Sequence, residues 1–183
     1  VLFFVPTFQN YIDLFRTLPY LMYTLNSILI AGGSTLLGLI LAVPAAFAVS
    51  WYKVNWPTSV ALLARMAPGG LYLLPWYMIF TRVGLHGTYL SLIITHTVIT
   101  MPLSLLIMAS FFDELPRQIM ECGMVDGCTM SSVIIRIAIP LSTPGMMVSA
   151  IISFILSWNY FLFALVLSRI RTTPLTVAAF RFV

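Results

Sequence analysis

The chain has 183 residues, 61% of them hydrophobic and 8% charged, with nine basic and five acidic side chains and a net charge of +4. A soluble domain carries about 25% charged residues because its surface must be solvated, so this composition excludes a soluble globule and indicates an integral membrane protein. The basic residues are scattered at the ends of apolar runs and form no patch for nucleic acid.

Taken in chain order, residues 1–20 are read as an extramembrane segment. The sequence opens on Val1 and stops at Val183 with no polar tail, and both ends are read as cut from a longer protein. No charge lies between Arg16 and Lys53. Since ~20 apolar residues cross a ~30 Å hydrocarbon core, Tyr23 to Ser50 is the first expected span. Within it Ser34, Gly38, Ala42 and Ala46 recur every four residues, a stripe of small side chains that lets another helix come close. Pro44 interrupts this span. Lys53 to Pro57 is a loop with aromatic interface anchors.

The second expected span, Val60 to Thr81, holds Arg65 near one end, where its long stem reaches the interface. It is broken by Pro68-Gly69-Gly70 and by Pro75. Breaks of this kind are tolerated where neighbours or a wet cavity satisfy the freed carbonyls, and both an ordinary kink and a transporter's broken helix fit. Residues 82–88 form a glycine turn in which His86 is read as solvated. The third span is Tyr89 to Phe112, with Pro102 and with His96 as a hydrogen-bonded structural histidine or a pathway residue. The fourth is Pro144 to Leu167, where Ser149, Ser153 and Ser157 repeat the small-residue device. Trp158 and Asn159 follow. An intramembrane amide is costly unless paired, so Asn159 faces the bundle interior or a polar pathway. Residues 169–183 return to an extramembrane loop.

One stretch differs from the rest. Residues 113–140 hold four of the five acids and both cysteines. Asp113 and Glu114 stand ahead of Pro116 as at a helix start. Arg117 to Val125 makes about two and a half turns, and Asp126-Gly127 closes them. Thr129 or Ser131 then caps a second helix that passes Ile134 and Ile137 to Pro140. Leu115, Ile119, Cys122 and Asp126 share one side of the first short helix. Cys122 and Gly123 are small and leave its middle slim enough for another protein to grip. Simple connectors run 2 to 8 residues, so a loop this long reads as a docking element.

No catalytic or metal-binding pattern accompanies it. With no second cysteine pair and no histidine nearby, Cys122 and Cys128 support neither a disulfide framework nor a zinc site. None of the five acids lies in a span, and no P-loop, HExxH or Gly-x-Ser-x-Gly occurs. The chain therefore reads as a non-enzyme. Charge counts lean weakly toward placing 82–88 and 169–183 in the cytoplasm.

The spacing Glu121-Cys122-Gly123, three residues, Gly127, nine residues, Ile137-Ala138-Ile139-Pro140 resembles the EAA loop of ABC-importer permeases, Glu-Ala-Ala-x3-Gly-x9-Ile-x-Leu-Pro. Asp126, the run Pro140-Leu141-Ser142-Thr143-Pro144, Asn26-Ser27 and Ser157-Trp158-Asn159-Tyr160 are similar to the carbohydrate-uptake branch, in particular the maltose-permease type of second subunit. In that branch an acid often follows the Trp-Asn pair; here Tyr160 stands in its place. The resemblance implies a type I importer permease fold, all-α and polytopic, with a single domain over 1–183 and four of about six spans visible. It implies a bacterial or archaeal inner-membrane location, with the loop at about 113–140 cytoplasmic and residues at about 1–20, 82–88 and 169–183 periplasmic, against the lean of the charge count. It implies coupling through Glu121, Cys122, Gly123, Asp126, Gly127, Ile137 and Pro140 to a separate ATPase dimer that carries ATP and Mg. Its further implied partners are a second permease subunit, expected as a heterodimer, a periplasmic or lipid-anchored solute-binding protein, and a sugar or polyol. An ATP-independent transporter or channel is the alternative reading.

Overall fold

The longest charge-free run folds as the longest helix, α1 (Tyr20–Tyr52), and the Tyr89–Glu114 run forms α4, whose N-terminus is capped by the Thr88 hydroxyl. The computed structural model describes residues 19–66 and 69–180, which contain helices and no strand. Between α1 and α4 lie α2 (Trp56–Met66) and α3 (Gly70–Arg82). After α4 come α5 (Arg117–Val125), α6 (Met130–Leu141), α7 (Thr143–Asn159), α8 (Phe161–Leu167) and α9 (Leu175–Phe180).

Among the described residues α1 and α4 are long and apolar enough to cross a membrane unaided, and the pair α6–α7 passes the same test across a 75° bend. The second expected span is divided in two, as its break over Pro68-Gly69-Gly70 suggests, and the fourth is shorter than read. The second is divided into α2 and α3, 11 and 13 residues long, each short of the ~20 that a crossing needs. The halves have different neighbours, α2 lying on α4 and α3 on α8. The fourth stops at Tyr160, whose extended backbone separates α7 from α8. By contrast, Pro44, Pro75 and Pro102 lie inside continuous helices. Pro68, Asp13, Arg16 and Arg181 fall outside the described residues.

Small residues set the packing. Ser34, Gly38, Ala42 and Ala46 are all buried, and α1 packs along both α4 and α7. A methyl group on Gly38 would sit 3.8 Å from Thr100 Oγ1, so the two backbones approach with room for a methyl and little more. Ser149, Ser153 and Ser157 form the buried edge of α7. Leu25, Leu29, Leu36 and Ile40 of α1 are exposed, an apolar face suited to lipid or to another membrane chain.

Two apolar clusters occupy opposite ends of the bundle. One joins Ala42, Ala46 and Phe47 to Met108, Phe112, Met120 and Val133; the other joins Ile30, Leu92, Phe80, Phe163 and Leu167. Between them lies a layer of small polar side chains. Ser104 Oγ meets Ser153 Oγ at 2.8 Å, and Ser34 Oγ meets Ser157 Oγ at 2.8 Å. Thr97 and Thr100 return their hydroxyls to carbonyls of α4 one turn back, at 2.8 and 3.0 Å.

At the end away from α5, a latch holds the 169–175 loop. Asn26 Nδ2 donates to the carbonyls of Arg171 (3.0 Å) and Thr173 (2.9 Å), while its Oδ1 accepts from the Tyr89 hydroxyl at 2.7 Å. Ser27 Oγ accepts from the Leu175 N–H at 2.8 Å. His86 is not simply solvated as its turn position suggests. Its Nε2 lies 3.2 Å from the Val166 carbonyl and its ring meets Tyr77 edge-on.

Two outcomes follow from this packing. Gly38→Ala is expected to leave thermal stability in detergent nearly unchanged, whereas Gly38→Leu should destabilise by about 1–3 kcal/mol through overpacking; equal melting curves would show that α1 and α4 are not in close contact. Asn26→Ala removes three hydrogen bonds and takes the side-chain donor from the Thr173 carbonyl, while the Tyr89 hydroxyl keeps the Arg171 carbonyl at 3.1 Å, a loss of about 1–3 kcal/mol. Hydrogen exchange should then accelerate at Leu175 and its neighbours and stay slow in α4.

Candidate functional site

The polar loop folds largely as its turn residues require. The Asp113-Glu114 pair ends α4 instead of opening α5, because Leu115 and Pro116 are extended and only Arg117 begins the next helix. At the far end of α5 the N–H of Gly127 bonds the Met124 carbonyl (3.0 Å), and that of Cys128 bonds the Gly123 carbonyl (3.0 Å). This is the paired pattern that closes a helix on a left-handed residue, and Gly127 supplies it with φ +87°. Thr129, not Ser131, caps the next helix, its hydroxyl accepting from Ser132 N. Within α6, residues Ile134–Ala138 form a π-helical turn, a widening often found where a helix serves a function.

The seven loop residues picked from the sequence divide into two groups. Glu121, Cys122, Asp126, Gly127 and Pro140 are exposed, whereas Gly123 is buried and Ile137 half-buried. A Cβ on Gly123 would collide with Ile137 Cδ1. Gly123 is therefore small to admit α6, and the expectation that it thins the helix for an outside partner is corrected on that point. Met120 and Gly123 face inward, toward the cluster that contains Val133 and Ala138. The outward face carries Ile119, Glu121, Cys122 and Val125. Both cysteines are free thiols.

A cluster that the sequence reading missed ties α5 to α1 and α4. Arg117 Nη2 donates to the carbonyls of Ser50 and Trp51 in the last turn of α1, and its guanidinium lies 5.4 Å from the Trp51 ring centroid. Asp113 Oδ1 accepts from Ser50 Oγ (2.6 Å) and from Lys53 Nζ (2.8 Å). The Lys53–Asp113 contact is the one ion pair among the described residues. A signal was present. A cation in the first turn of a helix opposes the helix dipole, so Arg117 there points to a partner outside α5, and the C-terminal carbonyls of α1 are such a partner.

The intramembrane candidates separate as well. His96 is buried, with Nδ1 2.8 Å from Ser157 Oγ and its ring edge-on to Tyr160 at 5.9 Å. Its Nε2 has no hydrogen-bond partner among the described residues. The residue adjoins a narrow crevice lined also by Ser27, Ser157, Trp158, Tyr160 and Thr176. Trp158 is half-buried and stacked on Phe154. Asn159 does not face the interior of this chain's bundle. It is exposed, and its Nδ2 turns back to the Ile155 carbonyl at 2.8 Å, because two residues of helix after Ser157 carry it to the side opposite the buried serine edge. Among the described residues no group of three or more histidine, cysteine or acidic side chains converges on a metal position.

Comparison with known proteins places this arrangement. The chain is 29% identical over 182 residues to the sulfoquinovosyl glycerol transport system permease protein SmoH of Agrobacterium fabrum, covering 96% of this chain and 64% of that protein. It is 31% identical over 182 residues to the trehalose transport system permease protein SugB of Mycobacterium tuberculosis, covering 95% and 66%. It thus spans slightly under two thirds of the length of these relatives. A bacterial ABC transporter involved in the import of the acidic polysaccharide alginate has a chain of the same fold, with TM-score 0.83 at 20% identity over 99% of this chain and 66% of that one. The model of the binding-protein-dependent transport system inner membrane component matches residues 6–179, and the chain belongs to that family.

Proposed function

We propose that the protein is a permease subunit of a binding-protein-dependent ABC importer and that its cargo is a sugar or glycoside. The observation that carries the reading is the loop over 113–140. Its spaced motif folds as a short helix, a left-handed glycine turn and a second helix, with the Glu121 face turned outward. Val125 beside it is 88% exposed. A bare valine next to a carboxylate on a water-facing helix fits a surface that a second protein covers. That protein is a separate ATPase, which hydrolyses ATP with Mg and whose dimer closes and opens. The loop then lies in the cytoplasm, and the 82–88 and 169–175 segments lie on the opposite, external side, where a solute-binding protein delivers cargo.

The cargo class follows from relatives named for sulfoquinovosyl glycerol and trehalose transport. The pathway follows from the break at Tyr160. Asn159 and the half-buried Trp158 are a polar amide and an aromatic face at the end of α7, away from its buried serine edge, and they open onto a second permease subunit across a shared polar route. His96 lines the same region from α4.

In the reconstituted complex, Glu121→Ala and Gly127→Val are expected to leave membrane insertion intact and to abolish cargo-stimulated ATP hydrolysis. Gly127→Val forces a β-branched residue to positive φ, while Glu121→Ala leaves the backbone untouched. Full stimulation in both variants would overturn the reading. Liposomes holding this chain alone should show no sugar flux without nucleotide, and flux there would favour an ATP-independent transporter.

A further inference from the structure

The two ends of α5 are held very differently. At its C-terminus stands the exposed Gly127 turn. At its N-terminus, Leu115 and Pro116 give a two-residue extended joint, and across that joint the Arg117 guanidinium reaches the carbonyls of Ser50 and Trp51. Those carbonyls belong to the last turn of α1, where acceptors lack partners within the helix and carry the negative end of its dipole. Arg117 also lies over the Trp51 ring, Trp51 stacks on Phe47 at 5.9 Å, and Phe47 meets Phe112 of α4 edge-on at 5.5 Å. Asp113, four residues before Arg117, accepts from Ser50 and Lys53 at the same helix end. Three helix termini are thereby joined through fixed, directional contacts.

A two-residue joint alone transmits poorly, because each residue adds two soft backbone angles. A planar guanidinium with two acceptors and a ring beneath it removes that slack. Resting on the permease reading above, we infer that Arg117 and Asp113 are positioning residues for energy coupling. They make α5 move as one body with α1 and α4, so that a push delivered to α5 by the ATPase displaces the spanning helices instead of swinging α5 about Leu115-Pro116. The ATPase touches the outward face of α5; Arg117 and Asp113 act behind it, on the chain's own helix ends.

The test uses the assembled transporter in liposomes, with trehalose as probe cargo. Cargo moved per ATP hydrolysed is measured together with ATPase pull-down, for wild type, Arg117→Ala, Arg117→Lys and Asp113→Asn. In separate samples, kept out of the transport and pull-down assays because Cys122 lies on the face that meets the ATPase, a spin label on Cys122 of α5 is paired with one at Ile40→Cys on α1, Cys128 being replaced by serine. Arg117→Ala should retain the ATPase yet transport at least five-fold less cargo per ATP, and its label distances should broaden. Arg117→Lys, a point charge without the planar fork, should fall between. Wild-type cargo yield and an unbroadened distribution in Arg117→Ala would overturn the inference. If Arg117→Ala does not assemble, Asp113→Asn is read in its place with the same two expectations. Failure of both to assemble would show a structural clamp only and would also overturn it. If the wild-type chain itself retains no ATPase, the permease reading fails and takes this inference with it. If the wild type retains the ATPase but does not move trehalose, only the choice of cargo is at fault, and the label distances decide.

Discussion

Buried polar groups in this bundle have to find partners inside the protein, because the hydrocarbon core offers no water to substitute, and most do; among the described residues Thr35 Oγ1, His96 Nε2, Ser149 Oγ and Ser168 Oγ are the exceptions. That constraint explains the layer in which Ser34, Ser157 and His96 join, and in which Ser104 meets Ser153, between two apolar clusters. Hydroxyls bridging helices in lipid contribute about 0.6 kcal/mol each on average, so their worth here lies chiefly in leaving few buried hydroxyls without a partner. The small residues make this possible: with Gly38 and the serine edge of α7 between them, the three helices come close enough for side chains of one or two heavy atoms to meet.

Where the chain leaves the apolar region the problem changes from satisfaction to attachment. Helix ends expose carbonyls and N–H groups, and here they are held by long polar side chains from elsewhere in the chain. Asn26 and Tyr89 secure the 169–175 loop at one end of the bundle; at the other, Arg117 secures α5 and Asp113 the end of α4 to the end of α1. The two fastenings differ in kind. The first uses a neutral amide on backbone carbonyls, buried at 2% exposure, and behaves as part of the fold. The second uses charges at an exposed edge, where water competes and each contact alone is worth little, so its strength comes from guanidinium, ring and carboxylate acting at one place.

Much of the loop was legible because local chemistry decides it. Asp126-Gly127 closes α5 at the expected residue since only glycine enters the left-handed region without strain, and Arg117–Val125 was read with the right ends. The long spans were legible for a similar reason, their charge-free length. The assignments that failed required knowledge of neighbours. Gly123 is small enough for an outside grip and is instead a socket for Ile137; the turn position of His86 suggests solvation, yet it reaches Val166 across the chain; and the two directions open to Asn159, interior or polar pathway, are decided only by the fold, which turns it away from this chain's interior. In each case the residue type was informative and the direction was not, because direction depends on where an unrelated helix lies.

The sequence by itself determined that this is an α-helical membrane protein, where its apolar runs lie, and that a folded polar loop with a left-handed turn stands between two of them. Those features depend on composition, length and backbone sterics, which act within a few residues. Only the tertiary structure decided that the two halves of the second expected span have different neighbours, that the fourth breaks at Tyr160, and that Arg117 rests on the end of α1. Such outcomes depend on contacts between residues more than sixty positions apart, and no local rule of spacing or propensity carries that information.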